Sequence, residues 1–510
     1  MTDTAQPPHL ADQGTWFGHP RGLATLFFTE MWERFSYYGM RGILVLFMLD
    51  AIETGGLGLD TSKAGAIYGL YTGFVYLMAL PGGWVADRIM GAKNAVFYGG
   101  ILIAAGQFSL ALGSQTQVGF FSGLALIVLG TGLLKPNVSA IVGDLYPEGG
   151  ARRDAGFSVF YMGINIGAWI GPLACGFLGE GMEGIFPGAW KYAFMAAGTG
   201  MVLGLIQYRI GAGLKGVGGP PKLTAEEKGA ASKVLWAGLG GLLAAAVILY
   251  LLQSQGITSI TLEQAAGATI FIIVGLAVAY FAYQIFLGPW NTAEQKRLVV
   301  IFFLFIGAAL FWSGFEQAGS SLTIFADVFT DRAVMGWEIP ASWFQSVNPV
   351  FIITFAPIFG WLWLALGRWN PSLPLKFSFG LILLGSGFLV MAWASLYVAG
   401  GALVSPGWLV LTYFLHTSGE LCLSPIGLSA TTKLSPKPLV GQMMGIWFMG
   451  AALGNVVAGM VAGQMDPDAM TANPDLLVGL FRNIALFALG SGVLFFLFKG
   501  PVKKLAGGVE

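Results

Sequence analysis

The sequence predicts an all-α membrane protein with six plus six core transmembrane helices and an inserted two-helix hairpin. Three observations support this fold class. Of 510 residues, 55% are hydrophobic and only 10% are charged, whereas soluble proteins carry about 25% charged residues. Apolar runs long enough to cross ~30 Å of hydrocarbon recur from Gly22 to Lys499. A polar linker divides these runs into two sets.

Hydropathy predicts about fourteen transmembrane spans. They are expected at 22–50, 62–87, 94–113, 118–144, 155–179, 190–212, 230–252, 263–288, 297–329, 343–366, 374–398, 406–431, 438–464 and 477–499. The predicted organisation is a cytoplasmic tail (1–21), an N-terminal six-helix bundle (22–212), a cytoplasmic linker (213–229), a lipid-facing hairpin (230–296), a C-terminal six-helix bundle (297–499) and a second cytoplasmic tail (500–510).

Loop charges predict the orientation. Nearly all lysines and arginines between the spans fall on one side, and the other side has only Lys63, Lys191, Arg332 and Arg482. The positive-inside rule makes the first side cytoplasmic, with both termini there. The formal net charge of +0 leaves no basic surface for nucleic acid, and the loops are too short for a catalytic domain. We therefore expect neither an enzyme nor a nucleic-acid partner.

Cysteine usage predicts no metal site and no cofactor. Cys175 and Cys422 both fall inside predicted spans without metal-ligand spacing. Such cysteines are expected to pack as small hydrophobic residues.

The loop after the second span carries a motif. Gly83-x-x-x-Asp87-Arg88-x-x-Gly91-x-Lys93 resembles the G-x-x-x-D-R-x-x-G-x-[RK] motif of the major facilitator superfamily, whose two six-helix halves enclose a central site. We interpret it as a short turn in which Asp87 latches the cytoplasmic side. The alternative is a topology anchor built from Arg88 and Lys93.

Charged residues inside the predicted spans are the main functional signal, because one such charge costs about 2.5 to 3.5 kcal/mol at mid-bilayer. In the first span, one ~140° arc of the helix carries Glu30, Glu33, Arg34, Tyr37, Tyr38 and Arg41. Other spans contribute Tyr68, Tyr76, Lys135, Tyr161, Asn165, Trp312, Glu316, Asn348, Glu420, Ser424 and Trp447. We interpret these residues as lining a cavity between the halves; structural ion pairs are the alternative.

Three segments resemble the proton-dependent oligopeptide transporter family. They are Glu30-x-x-Glu33-Arg34-Phe-x-Tyr37-Tyr38-Gly39, Gly130-Thr-Gly-Leu-Leu-Lys135-Pro136 and Phe160-Tyr161-Met-Gly-Ile-Asn165-Ile-Gly167. Segments around Trp312 and Glu316, around Asn348, and around Glu420 and Ser424 are similar to the family's second half. Gly69 departs from the animal members, which have a coupling histidine there. The resemblance therefore implies that carboxylates couple the protons.

The resemblance implies a monomeric importer of di- and tripeptides in the cell inner membrane, driven by protons. Proton coupling is expected from Glu30, Glu33, Arg34 and Glu316. The peptide carboxylate is expected at Arg34 and Lys135, and its ammonium at Glu420 with Asn165 and Asn348. Further substrate contacts are expected from Tyr38, Tyr76, Tyr161, Trp312, Ser424 and Trp447. Gating is expected from the pairs Arg41–Glu316 and Lys135–Glu420, together with Asp87.

Other functions stay open at this point. The same fold could carry nitrate, an amino acid or a peptide-like drug. A channel, a receptor or a membrane-embedded enzyme belongs to a different class, but the sequence has neither an H-E-x-x-H nor a P-loop pattern.

Overall fold

The computed structural model describes residues 14–221 and 223–507. Most of the predicted N-terminal tail, Lys222 of the linker and residues 508–510 lie outside the described residues.

Helices make up most of the described chain. They are α1 Gly22–Leu49, α2 Thr61–Leu77, α3 Ala79–Val85, α4 Ala92–Gly113, α5 Gln117–Asp144, α6 Gly150–Gly179, α7 Trp190–Ile210, α8 Ala225–Ser254, α9 Leu262–Phe286, α10 Thr292–Phe315, α11 Ser321–Val328, α12 Val347–Ala365, α13 Leu373–Ala399, α14 Gly407–Leu434, α15 Val440–Ala462, α16 Pro467–Ala472, α17 Asp475–Leu497 and α18 Lys499–Ala506. Short 3₁₀ segments lie at Ile52–Thr54, Glu316–Gly319, Ala341–Ser346, Gly367–Trp369 and Lys437–Leu439, and a π-helical turn lies at Ala86–Met90.

Short antiparallel hairpins lie outside the spans. β1 (Thr15–Trp16) pairs with β2 (His19–Pro20) just before α1. β3 (Ala333–Val334) pairs with β4 (Trp337–Glu338) between α11 and the 3₁₀ segment Ala341–Ser346.

Every predicted span is helical. Among the described residues, twelve helices are long and apolar enough to cross a membrane. The other two predicted spans are α1 and α14, of 28 residues each. Both helices carry charged residues, which lower their hydropathy. These are Glu30, Glu33, Arg34 and Arg41 in α1, and Glu420 and Lys433 in α14.

Two spans predicted as continuous are broken in the structure. In span 297–329, α10 ends at Phe315, a 3₁₀ segment follows, and Ser320 leaves the helical region with φ −136° and ψ −92°. In span 62–87, α2 ends at Leu77 and α3 begins at Ala79. Pro81 explains the second break, because its ring would clash with the Leu77 carbonyl in a continuous helix.

The motif predicted to form a cytoplasmic turn is mostly helical instead. Its residues continue α3 into the π-helical turn Ala86–Met90. Gly91 alone makes the turn, with φ 79°, and α4 begins at the next residue. A Cβ at Gly91 would meet the Gly219 carbonyl oxygen at 2.5 Å, so glycine is required by both conformation and space.

The chain divides into two compact units. Unit 1 contains Met1–Tyr37, Leu77–Gly167 and Phe194–Ala265, and unit 2 contains Tyr38–Tyr76, Ala168–Ala193 and Ala266–Glu510. In unit 1, α1, α4, α5, α6 and α7 bury a core that includes Leu23, Val96, Leu134, Phe160 and Met201. In unit 2, α13 packs on α14 and α17, and α10 packs on α15.

Unit 2 joins parts of both predicted bundles. The segment that begins at Tyr38 in α1, most of α2, and the end of α6 belong to the same unit as the C-terminal helices. Glycines allow this close packing: a Cβ at Gly39 would lie 2.5 Å from Cys175 Sγ and 3.0 Å from the Gly171 carbonyl oxygen. Cys175 and Cys422 are both free and buried, as predicted.

Most side chains of the inserted hairpin are exposed or only partly buried. Ala231 is buried in α8, whereas side chains such as Trp236, at 68% exposure, point away from the protein. The second helix, α9, buries Ala266, Ile273, Ala277 and Phe281. The lipid-facing position of the hairpin stays a prediction.

We expect Gly39→Ala to destabilise unit 2, because the new methyl group must displace Cys175 or the α6 backbone. Overpacking of this kind costs about 1 to 3 kcal/mol, measurable as a lower apparent melting temperature in detergent. Gly238→Ala is the matched control, since a Cβ there meets nothing within 4 Å. Equal melting of both variants would contradict the packing assigned to Gly39.

Candidate functional site

The first span forms a buried ion cluster in unit 1. Arg34 Nε lies 2.7 Å from Glu30 Oε1 and 3.1 Å from Glu33 Oε2. Glu30, Glu33 and Arg34 are only 1%, 0% and 4% exposed. Because Glu30 and Arg34 are four residues apart, the α-helix itself brings their side chains together.

This cluster sets two carboxylates against one guanidinium. Arg34 donates a hydrogen bond to Glu30, whereas neither Glu33 oxygen accepts a hydrogen bond from the described residues. Lys135 of α5 interacts electrostatically with Glu33. A buried carboxylate charge without hydrogen bonds is costly, and a bound proton removes that charge.

Helix α6 packs closely beside this cluster. A Cβ at Gly167 would lie 2.9 Å from the Arg34 Cβ, so the glycine of the F-Y-x-x-I-N-x-G segment permits the approach. Asn165 is buried and its amide donates to the Tyr161 carbonyl oxygen at 2.9 Å. The Tyr161 side chain is exposed. Unit 1 thus contains the predicted residues Glu30, Glu33, Arg34, Lys135, Tyr161 and Asn165.

A second buried ion pair lies in unit 2. Arg41 Nη2 lies 2.5 Å from Glu316 Oε2, and Arg41 Nε donates to the Tyr68 hydroxyl at 2.7 Å. The break after Phe315 places Glu316 at the start of the 3₁₀ segment. The guanidinium also lies 5.7 Å from the ring centroid of Tyr38. The pair predicted between Arg41 and Glu316 is therefore present in the structure.

Glu420 is held from a neighbouring helix. Asn348 Nδ2 donates to Glu420 Oε2 at 3.2 Å and to Thr417 Oγ1 at 2.8 Å. Asn348 belongs to α12, and both acceptors belong to α14. Sequence reasoning missed Thr417, although its position three residues before Glu420 puts both side chains on one helix face.

The predicted aromatic residues differ in their surroundings. Trp447 is buried, with its ring centroid 6.4 Å from that of Phe377. Tyr38, Tyr76 and Trp312 are partly exposed, as is Ser424.

Gly69 has no room for a side chain. A Cβ there would lie 3.0 Å from the Val456 carbonyl oxygen and 3.1 Å from the Gly459 Cα. The backbone of α15 therefore lies close to this position, and any larger side chain there would require the two helices to move apart.

Two predicted gating contacts stay predictions. Asp87 is exposed in the π-helical turn and makes no ion pair with any residue that the structure describes. The pair predicted between Lys135 and Glu420 involves residues of different units.

The described residues contain no group of three or more His, Cys, Asp or Glu side chains that could hold a metal ion. The predicted residues form buried ion pairs and hydrogen bonds within each unit. Charged residues buried among membrane-length helices are typical of membrane transport proteins.

Comparisons with known proteins agree with this class. A family model described as the POT family matches residues 93–475. A peptide transporter of Yersinia enterocolitica is 41% identical over 507 residues, which cover 96% of each chain. A di-/tripeptide transporter of Lactococcus lactis is 35% identical over 507 residues, covering 97% of this chain and 98% of the relative. The chain belongs to the POT family and is not an enzyme.

Solved structures match over nearly the whole chain. A crystal structure of the peptide transporter POT in complex with sulfate has a TM-score of 0.88 and 40% identity, covering 98% of this chain and 99% of that one. A POT family transporter in complex with 5-aminolevulinic acid has a TM-score of 0.86 and 35% identity, covering 96% of this chain and 98% of that one. The fold is therefore that of POT transporters.

We expect Tyr68 and Glu316 to be energetically coupled, because both bind the Arg41 guanidinium. Tyr68→Phe should lower the apparent free energy of unfolding by about 1.5 to 3 kcal/mol, the usual contribution of a hydrogen bond to a charged group. The double variant with Glu316→Gln should differ from the sum of the single effects by more than about 0.5 kcal/mol. Denaturant titrations in detergent measure these values.

Tyr98→Phe serves as the control, since Tyr98 is half exposed and should show neither effect. Strict additivity of Tyr68→Phe and Glu316→Gln would contradict a shared contact with Arg41.

Proposed function

We propose that this protein imports di- and tripeptides together with protons by alternating access. The observation that carries the proposal is the pair of buried ion clusters, one in each unit, within a chain of the POT family. Their charges are costly in a membrane unless a partner, a proton or a substrate balances them. The relatives from Yersinia and Lactococcus, described as peptide and di-/tripeptide transporters, support this substrate class.

The substrate is recognised at both of its charged ends. Arg34 and Lys135 bind the carboxylate, since guanidinium and ammonium groups form strong charge-assisted hydrogen bonds with carboxylates. Glu420 binds the ammonium together with Asn165 and Asn348. An extended residue spans at most ~3.3 to 3.6 Å, so fixed charges at both ends select peptides of two or three residues.

Aromatic residues contact the peptide side chains. Tyr38, Tyr76, Trp312 and Trp447 take this role, and Tyr161 and Ser424 are further substrate contacts. Aromatic rings offer large apolar surfaces with few rotatable bonds, which suits a site that accepts many different side chains.

Protons act on the ion pairs. Uptake of a proton by Glu33, Glu30 or Glu316 weakens the pairs with Arg34 or Arg41, and so shifts which end of the cavity closes. Arg41 with Glu316 closes the outer end, while Lys135 with Glu420 is an inner contact that the substrate breaks. Asp87 latches the cytoplasmic side.

The protein works as a monomer in the cell inner membrane, with both termini in the cytoplasm. The excess of loop lysines and arginines on one side supports this orientation.

The alternative is a symporter of the same fold for another small solute. A POT family transporter of known structure is in complex with 5-aminolevulinic acid. This supports small molecules that carry both an amine and a carboxylate as an alternative substrate class. Nitrate fits less well, because the Glu420 carboxylate repels an anion that has no ammonium group.

We expect N-acetylation of dialanine to weaken its binding, because acetylation removes the charge that Glu420 recognises. Loss of a charged hydrogen bond costs about 1.5 to 3 kcal/mol, which means roughly ten- to hundredfold weaker competition for labelled dialanine uptake. In Glu420→Gln the difference between free and acetylated dialanine should shrink. Equal competition by both peptides in the wild type would contradict the assignment of Glu420.

We expect Glu33→Gln to separate peptide exchange from proton-driven uptake. The amide keeps the size of the side chain but cannot release a proton, so the contact with Arg34 no longer responds to pH. Peptide-for-peptide exchange in liposomes should persist, while uptake driven by a proton gradient fails. The control is Glu53→Gln, an exposed carboxylate that should retain both activities. Accumulation of dialanine against a gradient by Glu33→Gln would place coupling elsewhere, with Glu316 next.

A further inference from the structure

A carboxylate that the sequence did not single out bonds the end of α6 to the beginning of the eighth predicted span. Glu180 Oε2 accepts a hydrogen bond from the Ala341 amide at 2.6 Å, and Oε1 accepts one from the Ser342 amide at 3.2 Å. These amides begin the 3₁₀ segment that leads into α12. The first amides of a helix lack partners within it and attract negative charge.

The contact belongs to a longer interface within unit 2. Trp343 Nε1 donates to the Leu173 carbonyl oxygen at 3.0 Å, and Ser346 Oγ donates to the Trp169 carbonyl oxygen at 2.7 Å. The end of α6 therefore binds the start of the eighth span at several points. In this set of contacts, Glu180 contributes the ionisable side chain.

Water and protons can reach the neighbourhood of Glu180 through a cavity of about 1010 Å³ in unit 2. Besides Glu180, its charged lining residues are Asp50, Glu183, Asp327, Arg332 and Glu338. Arg332 forms ion pairs with Asp327 and Glu338 at 3.1 and 2.9 Å. The loop charges assign this end of the helices to the outer side.

Glu180 follows the last residue of the membrane-spanning helix α6. Burial raises the pKa of its carboxyl group to about 7; hydrogen bonds from Ser342 and Ala341 lower it by less, and the nearby Asp327 carboxylate raises it further. An exposed glutamate has a pKa of about 4.3. The carboxyl group thus binds a proton more tightly when docked than when exposed to water.

We propose that Glu180 is a further gating residue, whose carboxyl group docks on the first amides of the eighth span when the outer ends of the helices close and leaves them when these ends open. This role rests on the proposed alternating-access function and adds a contact to the Arg41–Glu316 pair. Closure buries the carboxyl group and draws a proton from the outer solution. The proton therefore moves inward in the same step that encloses the substrate.

The sign of the pH dependence follows from the two pKa values. Below about pH 4.3 the group is protonated in both states, and closure is most favourable. As the pH rises toward about 7, the exposed group loses its proton and closure becomes less favourable. Above that range the dependence levels off. The total change in the closed-to-open ratio is about 500-fold, which is the ratio of the two acid dissociation constants.

Distance measurements between spin labels test this proposal. The labels are introduced as Ile185→Cys and Met335→Cys, both at exposed positions of unit 2. The native cysteines are buried, so the labels react at the introduced sites. Distance distributions are recorded in lipid nanodiscs without peptide, between about pH 4.5 and 8.5.

In the wild-type background, the short-distance population should fall as the pH rises to about 7. Glu180→Gln should remove most of that dependence, while Glu183→Gln, which neutralises an exposed carboxylate of the same cavity, should leave it intact. Carboxylates other than Glu180 and Glu183 are present in all three proteins, so they contribute equally to the pH dependence of each. An equal pH dependence in wild type and Glu180→Gln would overturn proton uptake at this residue.

Glu180→Asp provides a second variant in case the amide disturbs folding. Its side chain is one methylene shorter and cannot reach both amides, so the closed population should fall at every pH. An unchanged closed population would overturn the docking role. If the wild type carries no dialanine in liposomes, the proposed function fails, but the distance measurement still decides the role of Glu180 because it uses no peptide.

Discussion

Charges buried inside a membrane bundle need partners, and the rest of this structure depends on how these partners are supplied. Unit 1 sets Glu30 and Glu33 against Arg34, and unit 2 sets Glu316 and the Tyr68 hydroxyl against Arg41. Each arrangement brings two polar partners to one guanidinium. In the proposed function, a proton or a charged substrate replaces one of these partners without leaving an uncompensated charge, which would cost several kcal/mol. The interactions that stabilise the bundle then also make it responsive to protons.

Close helix packing places these charges. Glycines let α6 approach α1, at Gly167 beside Arg34 and at Gly39 beside Cys175. Glu316 directly follows α10 and its amide still donates to the Trp312 carbonyl oxygen, so the helical backbone itself positions this carboxylate beside Arg41. At the other end of the same packing, Glu180 accepts hydrogen bonds from backbone amides rather than from a cationic side chain. Ion pairs and backbone contacts together define how the ends of these helices meet within unit 2.

Much of this arrangement could be predicted from residue types and their spacing. The helical period brings Glu30 to Arg34, and the cost of a buried charge indicates that Arg41 and Glu316 need partners. The remaining features depend on tertiary contacts. A hydrogen bond to the backbone amides of Ala341 and Ser342 has no side-chain signature, so Glu180 gave no signal. The helical conformation of the Asp87 segment was also missed. The motif predicts a turn of several residues, whereas Gly91 alone makes the turn.

The central claim is that the transport of peptide is coupled to the movement of positive charge across the membrane. It is tested most directly by measuring labelled dialanine in liposomes that hold an inside-negative potassium diffusion potential, with equal pH on both sides. A neutral zwitterion carried with one proton moves one positive charge, worth ~2.3 kcal/mol per 100 mV. The account predicts accumulation above the external concentration, lost when a protonophore and a potassium ionophore clamp both gradients at zero. Equilibration without accumulation under the full potential would contradict it.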